Sequence, residues 1–183
     1  GMVGVVADAG PPGMGFRAGG HLIVLLGETL PELAGSEFLR VVHRRRGGLP
    51  SLDLAREAAL GRVVRGAIAR SLLASAHDCS AGGLAIALTE SCLAGGLGAA
   101  VTPEDGLPVH VWLFSETAGR VLASVEAHHL PALRALAAVE GIPVSFLGTV
   151  GGDALRIGTE ADIPVPVLRE VYENALPAAM KHA

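Results

Sequence analysis

Apolar and polar positions alternate along this chain with two different periods, and the switches between them mark the predicted elements. Met2 to Ala7 (MVGVVA) is a short apolar run that reads as a strand, and Asp8 to Gly20, with five glycines and two prolines, reads as a loop. His21 to Gly27 (HLIVLLG) is apolar without alternation, so the predicted strand has both faces covered. Gly35 to His43 reads as a short helix capped by Ser36, with Phe38, Leu39 and Val42 inward. Gly47, Gly48 and Pro50 break structure over Arg44 to Ser51. Leu52 to Ala74 then carries a helical stripe of Leu54, Ala58, Val63, Ala67, Ile68 and Leu72 behind an Asp53 cap. Gly61 and Gly66 within it suggest that another element packs close.

Further on, Leu97 to Val101 is a predicted strand and Thr102 to Pro108 a loop. Val109 to Phe114 and Arg120 to Glu126 read as strands of a hairpin around Ser115-Glu116-Thr117-Ala118-Gly119. His128 to Glu140 is a predicted helix, and Val144 to Val150 with Ala154 to Gly158 a second hairpin around Gly151-Gly152-Asp153. Ile163 to Pro166 is broken by proline, and Val167 to Leu176 is a closing helix. No internal repeat or second core is visible, so the expectation is one domain over residues 1–183, of α+β class, with a mixed β-sheet covered by helices.

Ser75 to Gly98 (SAHDCSAGGLAIALTESCLAGGLG) organises the rest: an extended entry, a polar turn, an apolar helix and a glycine stop. Ser80 is the predicted N-cap, with Leu84, Ile86, Ala87, Leu88, Cys92 and Leu93 buried and Gly95-Gly96 ending the helix. Gly82 and Gly83 cost a helix about 1 kcal/mol each, and close approach is the physical return. Either an element packs there, or bare amides at the helix N-terminus cradle an anion such as phosphate. Asp78 would repel that anion unless it holds a cation or caps the turn. His77 can orient Asp78 or donate to a ligand, though a histidine beside a cap is commonly a satisfied structural residue.

The chain is half hydrophobic and poor in aromatics, with net charge −4 and pI near 6.0. It therefore lacks the electrostatic footprint of a nucleic-acid or anionic-membrane binder. The Arg44-Arg45-Arg46 run reads as a solvated helix end. Two cysteines are too few to staple a chain of this length and fit free thiols in a reducing cytosol. Cys92 reads as core, and Cys79, ahead of a helix start, is placed where a thiol pKa can be lowered. No apolar run is long enough to span a membrane, and no secretory signal pattern opens the chain. The histidines have no metal-binding spacing, and neither a P-loop nor a Gly-x-Ser-x-Gly elbow is present.

Two features carry candidate chemistry: His77-Asp78 with the Gly82-Gly83 helix start, and Ser115-Glu116-Thr117. Polar groups at strand ends near a helix N-terminus can frame a phosphate-bearing ligand. If they frame one cleft, Asp78 and Glu116 should lie within about 10 Å of each other. Carboxylates that close repel, so one should have a raised pKa or a cation between them.

AHDCSAGGLAIALTESCLAGGLGA together with LFSETAGRVLASV resembles the C-terminal domain of the aminoimidazole-ribonucleotide-synthetase superfamily. Within it the likeness is to the large-synthetase-subunit branch of the phosphoribosylformylglycinamidine synthases. It extends through GMVGVVAD, HLIVLLGET, AGSEFLRVVH, PSLDLAREAALGRVVRGAI and SFLGTVGGDALRI, in order over nearly the whole chain. Selenophosphate synthetase, hydrogenase-maturation and thiamine-phosphate-kinase branches share the glycine turn but lack the block resembling Gly27 to His43.

The resemblance implies a domain of a longer cytoplasmic ligase of purine biosynthesis. Such a ligase uses ATP and Mg2+ to phosphorylate the amide oxygen of formylglycinamide ribonucleotide, and ammonia from a glutaminase subunit displaces the phosphate. It further implies that this is the last of four domain pieces, that upstream domains of the same enzyme are its partners, and that the fragment alone is inactive. By position, Asp78 matches a Mg2+ ligand, and His77, Ser80, Gly82, Gly83, Ser115, Glu116 and Thr117 match a nucleotide- or phosphate-binding surface. As a second-copy site this set implies a regulatory or structural nucleotide site, or a vestigial one in a scaffold domain; a stand-alone nucleotide-binding module is the third reading. Ala81, Cys79 and Ala118-Gly119 depart from the family pattern and remove polar groups from the turn. As part of a larger protein, the chain should expose an apolar face that includes Val3 to Val6 and Val109 to Leu113.

Overall fold

The computed structural model describes residues 11–181. The predicted strand at Met2 to Ala7, and the part of the apolar face assigned to Val3 to Val6, lie outside the described residues. Seven strands form one sheet: β1 (Leu22–Leu26), β2 (Ser75–Asp78), β3 (Ala99–Val101), β4 (Val121–Val125), β5 (Val144–Val150), β6 (Ala154–Ile157) and β7 (Ala161–Pro164), in the order β2-β4-β1-β5-β3-β6-β7. All neighbours are antiparallel except β3 and β6. The helices are α1 (Glu37–Val41), α2 (Leu54–Ala69), α3 (Gly83–Gly95), α4 (Val109–Phe114), α5 (Leu130–Val139) and α6 (Val165–Lys181). A 3-10 turn, Ala127–His129, precedes α5. The expected mixed sheet covered by helices is what forms.

The unbroken apolar run at the first strand is explained by two cores on opposite faces of the sheet. Ile23 and Leu25 of β1 join Leu84, Leu88, Cys92 and Trp112 beneath α3 and α4. Val24 and Leu26 point the other way, to Leu60, Val63, Ala67, Leu133 and Ala137 of α2 and α5. Because successive side chains of a strand point to opposite faces, a central strand packed on both sides must be apolar at every position. Asp53 caps α2 as expected, accepting from the Ala55 and Arg56 amides, and Ser36 caps α1.

Four expectations fail. Val109–Phe114 is a helix, not a strand, so no hairpin surrounds residues 115–119. Its apolar positions fit both periods, and Val109, Trp112 and Leu113 share one helical face that packs into the core. For the same reason this segment is not part of an exposed apolar face: Trp112 is 0% and Leu113 8% exposed. Second, β5 and β6 do not pair, because β3 lies between them. Gly98 enters the mouth of the 151–153 turn, exchanging backbone hydrogen bonds with Gly151 and Gly152 at 2.8 and 2.9 Å. A Cβ there would stand 2.4 Å from the Ala154 carbonyl oxygen, so only glycine fits. Third, residues 161–164 form an edge strand, where Pro164 needs no amide. Fourth, Ile86, Val42, Leu54 and Ala58, all expected to face inward, are exposed.

Candidate functional site

β2 and β4 pair antiparallel with Asp78 opposite Val121, which brings the end of β2 and the segment before β4 to the same end of the sheet. The turn from Asp78 to Gly83 therefore meets the 115–120 segment, and the two features singled out in the sequence are neighbours. Ser80 is not the helix cap. The N-cap of α3 is Gly82, in a left-handed conformation, and the Ser80 hydroxyl instead donates to the Asp78 carboxylate. The Ser80 carbonyl accepts from the Gly83 amide at 3.0 Å.

The amide proposed for an anion already has a carboxylate on it. Glu116 Oε1 accepts from the Gly82 amide at 2.7 Å and from the Glu37 amide, at the start of α1, at 2.8 Å. One side chain thus ties two helix N-termini together, and its negative charge complements both helix dipoles. Gly82 and Gly83 are themselves buried. A Cβ on Gly83 would lie 2.4 Å from the Ser115 carbonyl oxygen and 2.8 Å from that of Leu113. The paired glycines thus let the end of α4 rest on the start of α3.

Ser115 and Thr117 are also turned inward, with 0% and 4% exposure. Their hydroxyls bond each other at 2.7 Å. The Ser115 hydroxyl donates to the Leu30 carbonyl at 3.1 Å, and Thr117 Oγ1 accepts from the Leu30 amide at 3.1 Å. Sequence reasoning missed Arg120, which completes this knot. It is 3% exposed and donates to the Thr117 carbonyl at 3.0 Å, to Thr29 Oγ1 at 3.0 Å and to the Ser115 carbonyl. Burial lowers the Arg120 pKa from its usual value. The only sequence signal for Arg120 is a charged residue opening an otherwise apolar strand.

His77 faces the other way along α3. Its Nε2 is 2.8 Å from Glu90 Oε2, and its Nδ1 is 3.4 Å from Asp78 Oδ1. Asp78 is the accessible member, with its side chain 70% exposed. The Ser80 hydroxyl holds its pKa below the usual carboxylate range; partial burial opposes this, and a backbone amide and His77 reinforce it. The raised pKa expected for one of two crowded carboxylates is therefore not found at Asp78. Cys79 also reverses its expectation, because burial pushes its thiol up to about 11.

Among the described residues, no three His, Cys, Asp or Glu side chains are grouped to hold a metal ion. Mg2+ is usually held by one or two carboxylates together with waters and phosphates. Asp78 can supply one such ligand. A cleft of about 140 Å³ borders the buried knot, lined by Glu28, Arg56, Glu57, Thr117, Ala118 and Gly119 among others. Its mouth carries the Arg56–Glu28 ion pair at 2.8 Å. Among the described residues, no helix is long and apolar enough to cross a membrane.

Comparison with known proteins places this geometry. The chain is 48% identical over 185 residues to the phosphoribosylformylglycinamidine synthase subunit PurL of Thermobifida fusca, an alignment covering 97% of this chain and 24% of that protein. It is 38% identical over 181 residues to PurL of Streptomyces coelicolor, covering 98% and 24%. The chain thus spans about a quarter of the length of these relatives. Among solved structures, Thermotoga maritima PurL complexed with FGAR superposes with a TM-score of 0.74 at 18% identity, over 86% of this chain and 29% of that one. Thiamine-monophosphate kinase from Stenotrophomonas maltophilia gives 0.56 at 20% identity, over 82% and 54%. At those identities the superpositions speak to the fold. The model for the AIR synthase related protein C-terminal domain matches residues 18–158, and the chain belongs to that family.

Proposed function

We propose that this chain is one domain of a longer phosphoribosylformylglycinamidine synthase large subunit acting in the cytoplasm. The parent enzyme would be an ATP- and Mg2+-dependent ligase of purine biosynthesis. It phosphorylates the amide oxygen of formylglycinamide ribonucleotide, then replaces the phosphate with ammonia from a glutaminase subunit to give the amidine. The observation that carries this reading is the 48% identity to the Thermobifida fusca subunit along 97% of the chain. The upstream domains of the same enzyme are the expected partners.

Within that enzyme, the local geometry supports a supporting role for this domain over a reaction centre. Glu116 occupies the Gly82 amide, and Ser115 and Thr117 spend their hydroxyls on each other and on Leu30. The catalytic rate of such an enzyme depends on groups that several domains bring together, so the isolated chain should be inactive. Asp78 and Ser80 are the exposed members of the predicted set, and His77 and Glu116 are half-buried.

A chimera tests the assignment. The matching segment of the Thermobifida fusca subunit is replaced by this chain, and ammonia-dependent amidine formation is measured. The reading expects product from the chimera and none from the isolated chain. A soluble, folded chimera without activity, or an active isolated chain, would overturn it. Titrating the isolated chain with ATP, ADP and Mg2+ distinguishes the supporting role, which expects no saturable binding at the glycine turn, from a nucleotide-binding module.

A further inference from the structure

The glycine turn is filled by the protein's own carboxylate, but a different part of the surface concentrates positive charge. Four of the chain's 14 basic residues fall within Arg40 to Arg46, in a protein whose net charge is −4. Arg40, Arg45 and Arg46 line one cleft of about 410 Å³, together with Ser36 and the backbone of Gly35 and Gly47. Arg40 is paired with Glu37. Among the described residues, neither Arg45 nor Arg46 forms an ion pair. The Glu37 carboxyl, held low chiefly by Arg40, also feels the charge of Arg46, so one carboxylate already serves two guanidinium groups.

The loop that carries these arginines is anchored at several points. The Gly35 amide donates to the Gly47 carbonyl at 3.0 Å, and the Arg45 amide to the Leu39 carbonyl at 2.9 Å. Phe38 holds α1 against α4 by stacking on Phe114, with ring centroids 5.0 Å apart. Arg44, between the anchors, has a φ of 52°, a left-handed conformation that strains a non-glycine residue. Strain of this kind persists where the surroundings impose it, and it gathers at ligand sites. Like charges gathered on a fixed loop repel one another, and an anion of matching charge relieves that repulsion. Guanidinium groups present planar, forked donors that suit phosphate oxygens.

We propose that the cleft formed by Arg40, Arg45 and Arg46 is an anion site that takes a diphosphate group. The cleft carries two uncompensated positive charges, which one diphosphate chain can span. This inference is independent of the ligase assignment, since it concerns only the chain's own residues. The cleft is also separate from the glycine turn, although both touch α1: Glu37 bonds Glu116 through its amide and Arg40 through its side chain.

Calorimetric titration of the 183-residue chain with inorganic pyrophosphate, in buffer of about physiological salt, tests the site. Saturable one-to-one binding is expected, weakened at least tenfold in the Arg45→Gln/Arg46→Gln variant. The Arg65→Gln/Arg70→Gln variant removes the same charge from the exposed side and C-cap of α2 and should bind as the parent does. Orthophosphate and sulfate should bind at least tenfold more weakly than pyrophosphate. Amide shifts on adding pyrophosphate should centre on Gly35, Ser36 and Gly47, a readout that stands even if a variant misfolds. The proposal is overturned by any of four results: no saturable binding, equal loss in the α2 control, equal affinity for orthophosphate, or shifts centred elsewhere.

Discussion

Replacing Gly83 by alanine tests whether the paired glycines exist for packing, and Gly96→Ala supplies its control. Both glycines have nearly the same left-handed φ, 64° and 66°, so the backbone penalty of adding a Cβ, roughly 1–2 kcal/mol, is common to both. Their surroundings differ. Around Gly96 a Cβ meets nothing within 4 Å, whereas at Gly83 it meets backbone atoms at 2.4, 2.8 and 3.1 Å. Carbonyl oxygens of a packed helix cannot rotate away as a side-chain tip can. Restoring ordinary contact would move the end of α4 by about 1 Å and disturb Trp112 and Leu113 in the core. Overpacking of that kind costs about 1–3 kcal/mol, which places Gly83→Ala at roughly 2–5 kcal/mol in total. Urea unfolding followed by the fluorescence of Trp112, the only tryptophan and fully buried, reads both variants on one scale. Losses that agree within about 0.5 kcal/mol would refute the close-approach argument, because substitutions away from such contacts differ by no more than that.

Three further outcomes follow from the same site. Glu116→Ala should cost about 2 kcal/mol in urea unfolding and Glu116→Gln clearly less, since the amide oxygen still accepts from Gly82 and Glu37; equal losses would contradict the bridging role. Arg120→Met should cost about 3 kcal/mol by leaving the Ser115 and Thr117 carbonyls unpaired in the interior, and a melting temperature within 2 °C of the parent's would contradict this. Cys79 and Cys92, with thiols pushed up to about 11 and about 12 by burial, should react with a thiol reagent at pH 8 only after unfolding. For these groups the unfolded chain loses its protons first. Stability should therefore be intact below about pH 9 and fall as pH rises from there through 11 to 12.

Local chemistry was legible without the fold. Ser36 and Asp53 cap the helices they precede because a cap needs only a side-chain oxygen and the next two or three amides. The Gly96 stop of α3 and the doubly buried first strand are likewise set by residues within a few positions of one another. The second half of the α2 stripe, Val63, Ala67 and Leu72, followed from its period. Leu54 and Ala58 are exposed, with Ala59 and Leu60 buried in their place, and the helix ends at Ala69, short of Ala74.

What the sequence could not determine depends on partners far along the chain. VHVWLF satisfies the spacing of a strand and of a helix, and it is helical because Val109, Trp112 and Leu113 then enter one core while the chain rests on Gly83. Ser80 has the chemistry of a cap, yet the turn carries the helix start to Gly82, and Glu116, distant in sequence, satisfies its amide. The 151–153 turn looks like a hairpin until Gly98 opens it for β3. A six-residue pattern states which side chains want burial; the partner that offers it is supplied by tertiary packing, and here that choice decided between an anion cradle and close packing in favour of a helix junction closed by the protein's own carboxylate.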